Sequence, residues 1–439
     1  MTTGPDHINL FNLAELTPDA RAKLMTRTEA DLSGFMDPAA KIIEAVRTEG
    51  DEAVARAGRD FDRASVVAEK LKAASEDFDR AFDELDNTVT GAIRFAVENI
   101  KAFHEEQRPE PMWWKETRPG VFGGERSTPI PSVACYVPRG KGAFPSVMMM
   151  TTIPAVIAGV PEIAVLTPPT PEGGIDAASL VAAKLAGIEH VYKCGGAAAV
   201  AAAAFGTATI PRCAKIVGPG SPWVVVAKKL LADRIDTGLP AGPSESIILA
   251  DNSANPKIAA LDLMIEAEHG PDSSAFLVTD SPDIAEAARR CIPELWSKMG
   301  EQRAGFTREV LGGPRGGIVL APSMDEAVRF TNDYAPEHLE VLCEEPMDYL
   351  GQLHHAGEIL LGENTPITLG NFVIGPNCVL PTGGHARTWS PLSVLDFTKR
   401  TSIAHVTRQG YASLASHAHR LATYEGFDAH ANAVSDLRR

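Results

Sequence analysis

Residues 246–291 read SIILA-DNSANPKIAALDLMIEAEHGPDSS-AFLVT-DSPDIAEAARRC. Two short apolar runs, Ser246–Ala250 and Ala275–Thr279, each lead into a stretch of helical spacing, Pro256–Glu268 and Pro282–Cys291. Strand–helix–strand–helix order predicts a parallel sheet covered by helices. The same stretch carries Glu266 and His269, three residues apart at the end of its first helix, just before Gly270. A Glu-x-x-His pair lies on one helix face and can close on a metal ion. By itself it is equally a helix-end acid with an imidazole favoured by the helix dipole.

The alternation extends both ways. Downstream, strands are expected at Gly317–Ala321 and Glu358–Leu361 with a helix at Met324–Thr331 between them. Upstream, strands are expected at Ser132–Val137, Ile163–Thr167, Glu189–Lys193 and Lys215–Val217, with helices at Asp176–Leu185 and Ala197–Phe205. Residues 1 to about 110 are charged and helix-patterned, and the last stretch reads as mostly helical. The fold class is therefore α/β, with two units of similar size. No GxGxxG follows a strand. The nearest phosphate cradles are Cys194-Gly195-Gly196-Ala197 and Gly218-Pro219-Gly220-Ser221, and ordinary tight turns explain either one more often than not.

Glu337 and His338 stand side by side in Asn332-Asp333-Tyr334-Ala335-Pro336-Glu337-His338-Leu339-Glu340. An adjacent Glu-His sets two proton carriers of different intrinsic pKa at one point of the backbone. Together with Glu266 and His269 it reads as metal-assisted proton and hydride chemistry. Ser244 is no triad nucleophile, because Gly242-Pro243-Ser244-Glu245 lacks the Gly-x-Ser-x-Gly elbow.

Composition narrows the rest. The chain has 439 residues, 44% hydrophobic and 22% charged, which suits a soluble globular protein of more than one domain. A net charge of −16 argues against nucleic acid or an anionic membrane as partner. An anionic substrate would need local positive charge or a metal. The six cysteines form no CxxC pair and fit a reducing compartment. With no signal peptide at Met1–Leu10 and an apolar stretch at Val147–Val160 interrupted by Thr151, Thr152 and Pro154, a cytoplasmic protein is expected.

From about residue 130 onward the chain resembles the histidinol dehydrogenase family. The resemblance rests on Tyr136-Val137-Pro138, Gly218-Pro219-Gly220, Ala241-Gly242-Pro243-Ser244-Glu245, Glu268-His269-Gly270, Asn332–Glu340, Leu380-Pro381-Thr382-Gly383-Gly384 and Glu425-Gly426 with His430-Ala431-Asn432-Ala433-Val434, in the family's order. It implies two Rossmann-like doubly wound units with a helical N-terminal segment and a helical C-terminal tail. The corresponding division is an arm at 1–28, a first domain from 29–128 plus 243–388, an NAD-binding domain at 129–242 and a dimerisation tail at 389–439. It further implies zinc and NAD as cofactors, a domain-swapped homodimer with shared active sites, and oxidation of an alcohol through an aldehyde to a carboxylate with two NAD.

Residue by residue, the resemblance makes His338 the acceptor of the hydroxyl proton and Glu337 the activator of water. It places zinc on Glu266, His269, Asn371 and a His430 from the other subunit, NAD on Tyr136, Ala198 and Ser221, and substrate near Ser244 and Glu425. Several positions depart from the family pattern. Gln is usual at Glu266 and Asp at Asn371, an exchange that keeps the summed ligand charge. Ala198 and Ser221 replace Gln and Asn, and Cys378 replaces a His that helps bind histidinol. Arg139 stands where Gly is usual, Lys141 follows it, and His385 and Trp389 are unusual after Gly384. The Tyr136–Gly142 stretch is similar to the sulfopropanediol dehydrogenase branch, which oxidises 2,3-dihydroxypropane-1-sulfonate to sulfolactate. An added Arg is what an anionic hydroxy-sulfonate would demand. Arg139 is therefore the first candidate for the sulfonate, with Lys141 and His385 behind it.

Overall fold

The computed structural model describes residues 7–27, 32–139 and 142–438; Lys141 lies outside them. The chain divides into two compact units, residues 1–107 with 131–397, and residues 108–130 with 398–439.

The larger unit holds two all-parallel sheets. One has six strands in the order Leu10–Asn12, Gly316–Leu320, Ser274–Thr279, Glu245–Ala250, His338–Leu342, Glu358–Leu361. Its central strands are buried along their length, as expected of strands with helices on both faces. The other has four strands in the order Val191–Lys193, Glu162–Thr167, Ser132–Tyr136, Lys215–Val217. Both sheets follow the expected strand–helix alternation, with strand ends shifted by at most two residues; the helix from Pro282 runs to Trp296, five residues past its expected end, and His338–Leu342 is a strand that the sequence reading did not include. The apolar stretch after Arg139 is the helix Pro145–Ala158, whose residues are nearly all buried. No described helix is long and apolar enough to cross a membrane. The N-terminal arm contributes a strand, since Leu10–Asn12 pairs with Ile318–Leu320.

The tail in the smaller unit is mostly helical, as expected, and adds a strand that the sequence reading did not include. The tail opens with a nine-residue strand, Thr398–Val406, before its helices Arg408–Tyr424 and Asp428–Ala433. That strand pairs antiparallel with Val121–Pro129, which pairs in turn with Met112–Arg118. Every residue of Met112–Arg118 is exposed and most of Thr398–Val406 is too. Without one buried face there is no period-two alternation to read.

Candidate active site

The candidate pair Glu337 and His338 sits where a helix is turned abruptly into a strand. Met324–Tyr334 ends at Ala335, a left-handed residue (φ 52°, ψ 66°) that is fully buried. Such a conformation in a non-glycine residue is costly and marks a position held by its surroundings. Arg27 donates from Nη2 to the Tyr334 carbonyl at 2.6 Å, and Arg387 donates to the Asp333 carbonyl. Pro336 follows, then Glu337, with His338 opening the central strand. The pair therefore lies at the amino end of its strand, as do Ser244 and Glu245 on the neighbouring strand.

His338 is 2% exposed and Glu337 7%. His338 Nδ1 bonds Glu358 Oε1 at 2.5 Å, from the residue registered beside it on the next parallel strand. Its Nε2 faces Glu337 Oε1 at 3.7 Å and Glu266 Oε1 at 3.9 Å. Glu337 is oriented from its other oxygen, Oε2, which accepts the Glu245 N–H at 2.9 Å. Burial would push the His338 imidazole down, but Glu266, Glu337 and the Glu358 hydrogen bond outweigh it and hold its pKa up to about 10. Burial pushes the Glu337 carboxyl well above the usual range, and the neighbouring imidazole only partly offsets this.

Glu266, fully buried on the last turn of Pro256–Ala267, accepts from Asn371 Nδ2 at 2.8 Å through Oε1. Its Oε2 is enclosed and accepts no hydrogen bond, with His269 Nδ1 3.3 Å away. Burial opposes ionisation of Glu266, yet the His269 and His338 imidazoles and the Asn371 amide leave its pKa below the ordinary value. His269 Nδ1 also contacts Ser244 Oγ at 3.0 Å. An enclosed carboxylate oxygen without a donor, beside an imidazole, is a fit for a cation. The Asn371 amide spends its NH2 on Glu266, which leaves its oxygen for the same ion. Among the described residues no three His, Cys, Asp or Glu side chains are gathered for a metal, so tetrahedral coordination requires a further donor.

These groups share a cavity of about 670 Å3, lined by Ser244, Glu266, His269, Glu337, His338, Asn371 and Cys378 and also by Arg139 and Ser221. Burial and the nearby carboxylates keep the Cys378 thiol protonated. A second cavity of about 280 Å3 opens at the carboxyl ends of the four-stranded sheet, lined by Tyr136, Arg139, Gly195, Gly196, Ala198 and Ser221. Arg139 and Ser221 thus belong to both. The Arg139 Nη1 donates to the Pro169 carbonyl at 3.3 Å. Tyr136 OH accepts the Gly196 N–H at 3.2 Å, at the start of the Gly196–Phe205 helix.

A family model described as histidinol dehydrogenase matches residues 25–438. The chain belongs to the histidinol dehydrogenase family. It is 58% identical over 431 residues to "Histidinol dehydrogenase homolog 2" of Mesorhizobium japonicum, covering 98% of each chain. It is 46% identical over 427 residues to "Histidinol dehydrogenase" of Synechocystis sp., covering 97% of this chain and 98% of that one. The crystal structure of histidinol dehydrogenase from Elizabethkingia anophelis superposes with a TM-score of 0.92 at 30% identity, covering 98% of this chain and 97% of that one. The histidinol dehydrogenase family is NAD-dependent and zinc-binding, and the donor set around Glu266 is compatible with the metal.

Among the described residues of the larger unit, all the sequence-predicted site residues fall on one or other cavity except His385, which is exposed on a short 3-10 turn and lines neither. His430 and Glu425 lie in the smaller unit, both exposed, His430 on Asp428–Ala433 and Glu425 at the end of Arg408–Tyr424. Sequence reasoning missed Glu358, Glu245 and Arg27. Glu358 had a visible signal, an acid opening a predicted strand; the other two act through folding neighbours far away in sequence.

Proposed function

We propose that this chain oxidises 2,3-dihydroxypropane-1-sulfonate to sulfolactate, passing through the aldehyde and reducing two NAD. The observation that carries the reading is Arg139, a guanidinium lining the same cavity as Glu337, His338 and the Glu266 cluster. A sulfonate is a planar-faced, permanently charged acceptor that a guanidinium meets with paired N–H groups. Cys378, which lines the same cavity, offers it a small side chain where the family resemblance implies an imidazole.

His338 accepts the hydroxyl proton at Nε2, since Nδ1 is tied to Glu358. Glu337 takes a proton from the water that adds to the aldehyde at Oε1, while Oε2 stays on the Glu245 N–H. Glu266, His269 and Asn371 would hold zinc, with His430 from a second copy of the chain as the fourth donor in a homodimer. The metal, when bound, supplies Lewis acidity at the substrate oxygen.

L-Histidinol is the second reading. Glu266 and Asp272 give the cavity wall negative charge that suits a cation, and the Synechocystis relative carries that enzyme's name. NADH formation by zinc-loaded protein, measured side by side on the two alcohols, separates them. Two NADH per sulfonate with histidinol inert supports the proposal; turnover of histidinol alone rejects it. Arg139→Met adds the residue-level test. A raised KM for the sulfonate at unchanged NAD affinity assigns the guanidinium to substrate, and the reverse assigns it to the dinucleotide.

A further inference from the structure

Dinucleotide-binding sheets ordinarily place a carboxylate for the adenosine ribose just beyond their second strand. In the four-stranded sheet the strand beside Ser132–Tyr136 is Glu162–Thr167. It runs into Pro168-Pro169-Thr170-Pro171, with no acid before Glu172. The place is taken from elsewhere in the chain. Asp62, directly after the helix Asp51–Phe61, lines the 280 Å3 cavity together with Tyr136, Pro168, Gly195, Gly196 and Ala198. A β-carbon at Gly195 would stand 2.8 Å from the Pro168 ring and 3.3 Å from Asp62 Oδ2. The end of the second strand, the glycine turn and the carboxylate therefore meet at one point.

The Asp62 side chain has no hydrogen bond or ion pair with any described residue. Burial raises its pKa to about 6, against the pull of the Arg139 guanidinium. A half-buried carboxylate without donors gains from O–H groups delivered by a ligand. We propose that Asp62 accepts the adenosine-ribose hydroxyls of NAD and excludes NADP by its charge. A vicinal diol offers two O–H donors to one carboxylate, whereas a 2′-phosphate offers none and brings like charge against it. The helical N-terminal segment thereby supplies the acid that the sheet's own second strand lacks. This inference rests on the family's use of NAD and is independent of which alcohol is oxidised.

Calorimetric titration of the full-length, zinc-loaded protein, without alcohol substrate, tests it. Wild type, Asp62→Ala and Asp62→Asn are each titrated with NAD, NADP, ADP-ribose and nicotinamide mononucleotide. Loss of charge-assisted hydrogen bonds is expected to weaken NAD and ADP-ribose about tenfold or more in Asp62→Ala. Asp62→Asn should fall between, and the preference for NAD over NADP should shrink by at least the same factor. Nicotinamide mononucleotide, which lacks the adenosine ribose, should bind all three proteins alike, a result that general damage to the fold would not give. NAD affinity within twofold of wild type, or an equal loss for the mononucleotide, overturns the proposal. Asp62→Asn, matched in size, decides the matter if Asp62→Ala does not fold.

Discussion

Asn371 Nδ2 donates to Glu266 Oε1 at 2.8 Å, so two of the side chains proposed to hold the metal are hydrogen-bonded partners. A carboxylate facing a carboxamide has the same bond whichever position carries the charge. Two carboxylates would repel in a buried site, and two carboxamides would leave a cation without a negative ligand. We expect Glu266→Gln to weaken zinc binding tenfold or more, and Glu266→Gln with Asn371→Asp to recover most of that loss. Competition with a chelator measures both; a double variant no better than the single one would show the positions to be independent.

The two oxygens of Glu337 have different neighbours, Oε2 on the Glu245 N–H and Oε1 toward His338. An amide at this position keeps the shape and loses the proton acceptor. Glu337→Gln should therefore slow the second oxidation by about 10²–10⁴-fold while affecting the first far less. Rapid-quench measurement would then find aldehyde and one NADH per turnover. Equal loss of both steps would remove Glu337 from the role of water activator.

What the sequence made legible follows from range. Most strands and helices of the larger unit declare themselves within ten to fifteen residues, because a run such as Ser246–Ala250 is buried on both sides and has no polar alternation to confuse it, whereas the central strand His338–Leu342 went unread because His338 and Glu340 break its apolar run. Glu266 and His269 lie one helical turn apart and could be read as a unit for the same reason. Glu358 approaches His338 only through strand register, and Arg27 approaches Glu245 across more than two hundred residues of chain. Neither proximity has a local signature. The strand Thr398–Val406 was illegible because its faces are both largely solvated, leaving a pattern that helix and strand would share.

The hydrogen bond between Glu358 and His338 Nδ1 gives a pH signature. Glu358→Gln removes one of the groups holding the imidazole pKa up, so the acid limb of kcat/KM, where His338 must lose its proton to act as base, should move to lower pH. The linked stability has a fixed sign. A folded-state pKa raised to about 10 contributes stability that is complete below the unfolded value near 6.5 and is lost as pH rises through 10. Metal-free wild type should therefore lose melting temperature between those limits, and Glu358→Gln should lose less. A cation on Glu266 would cancel part of the negative field, so zinc loading should move the same limb in the same direction. An unchanged profile in Glu358→Gln would mean that the strand-to-strand hydrogen bond does not tune the base.

Arg27 ties the turn before Glu337 and His338 to the N-terminal arm. Its Nε lies 2.7 Å from Glu245 Oε1, its guanidinium stacks 3.3 Å from the Tyr334 ring centroid, and Nη2 holds the Tyr334 carbonyl. Both charges are nearly enclosed, with side-chain exposures of 11% and 5%. Removing one partner strands the other in a poorly solvated site, at a cost of about 3–5 kcal/mol. Arg27→Met should lower stability by that order, and adding Glu245→Gln should restore a large part of it by removing the stranded charge. The double variant keeps the Glu245 backbone N–H on Glu337 but lacks the clamp on Tyr334, before the strained Ala335. If the clamp positions the catalytic pair, kcat in the double variant stays depressed although thermal stability has returned. Recovery of both together would make Arg27 a stabilising residue and nothing more.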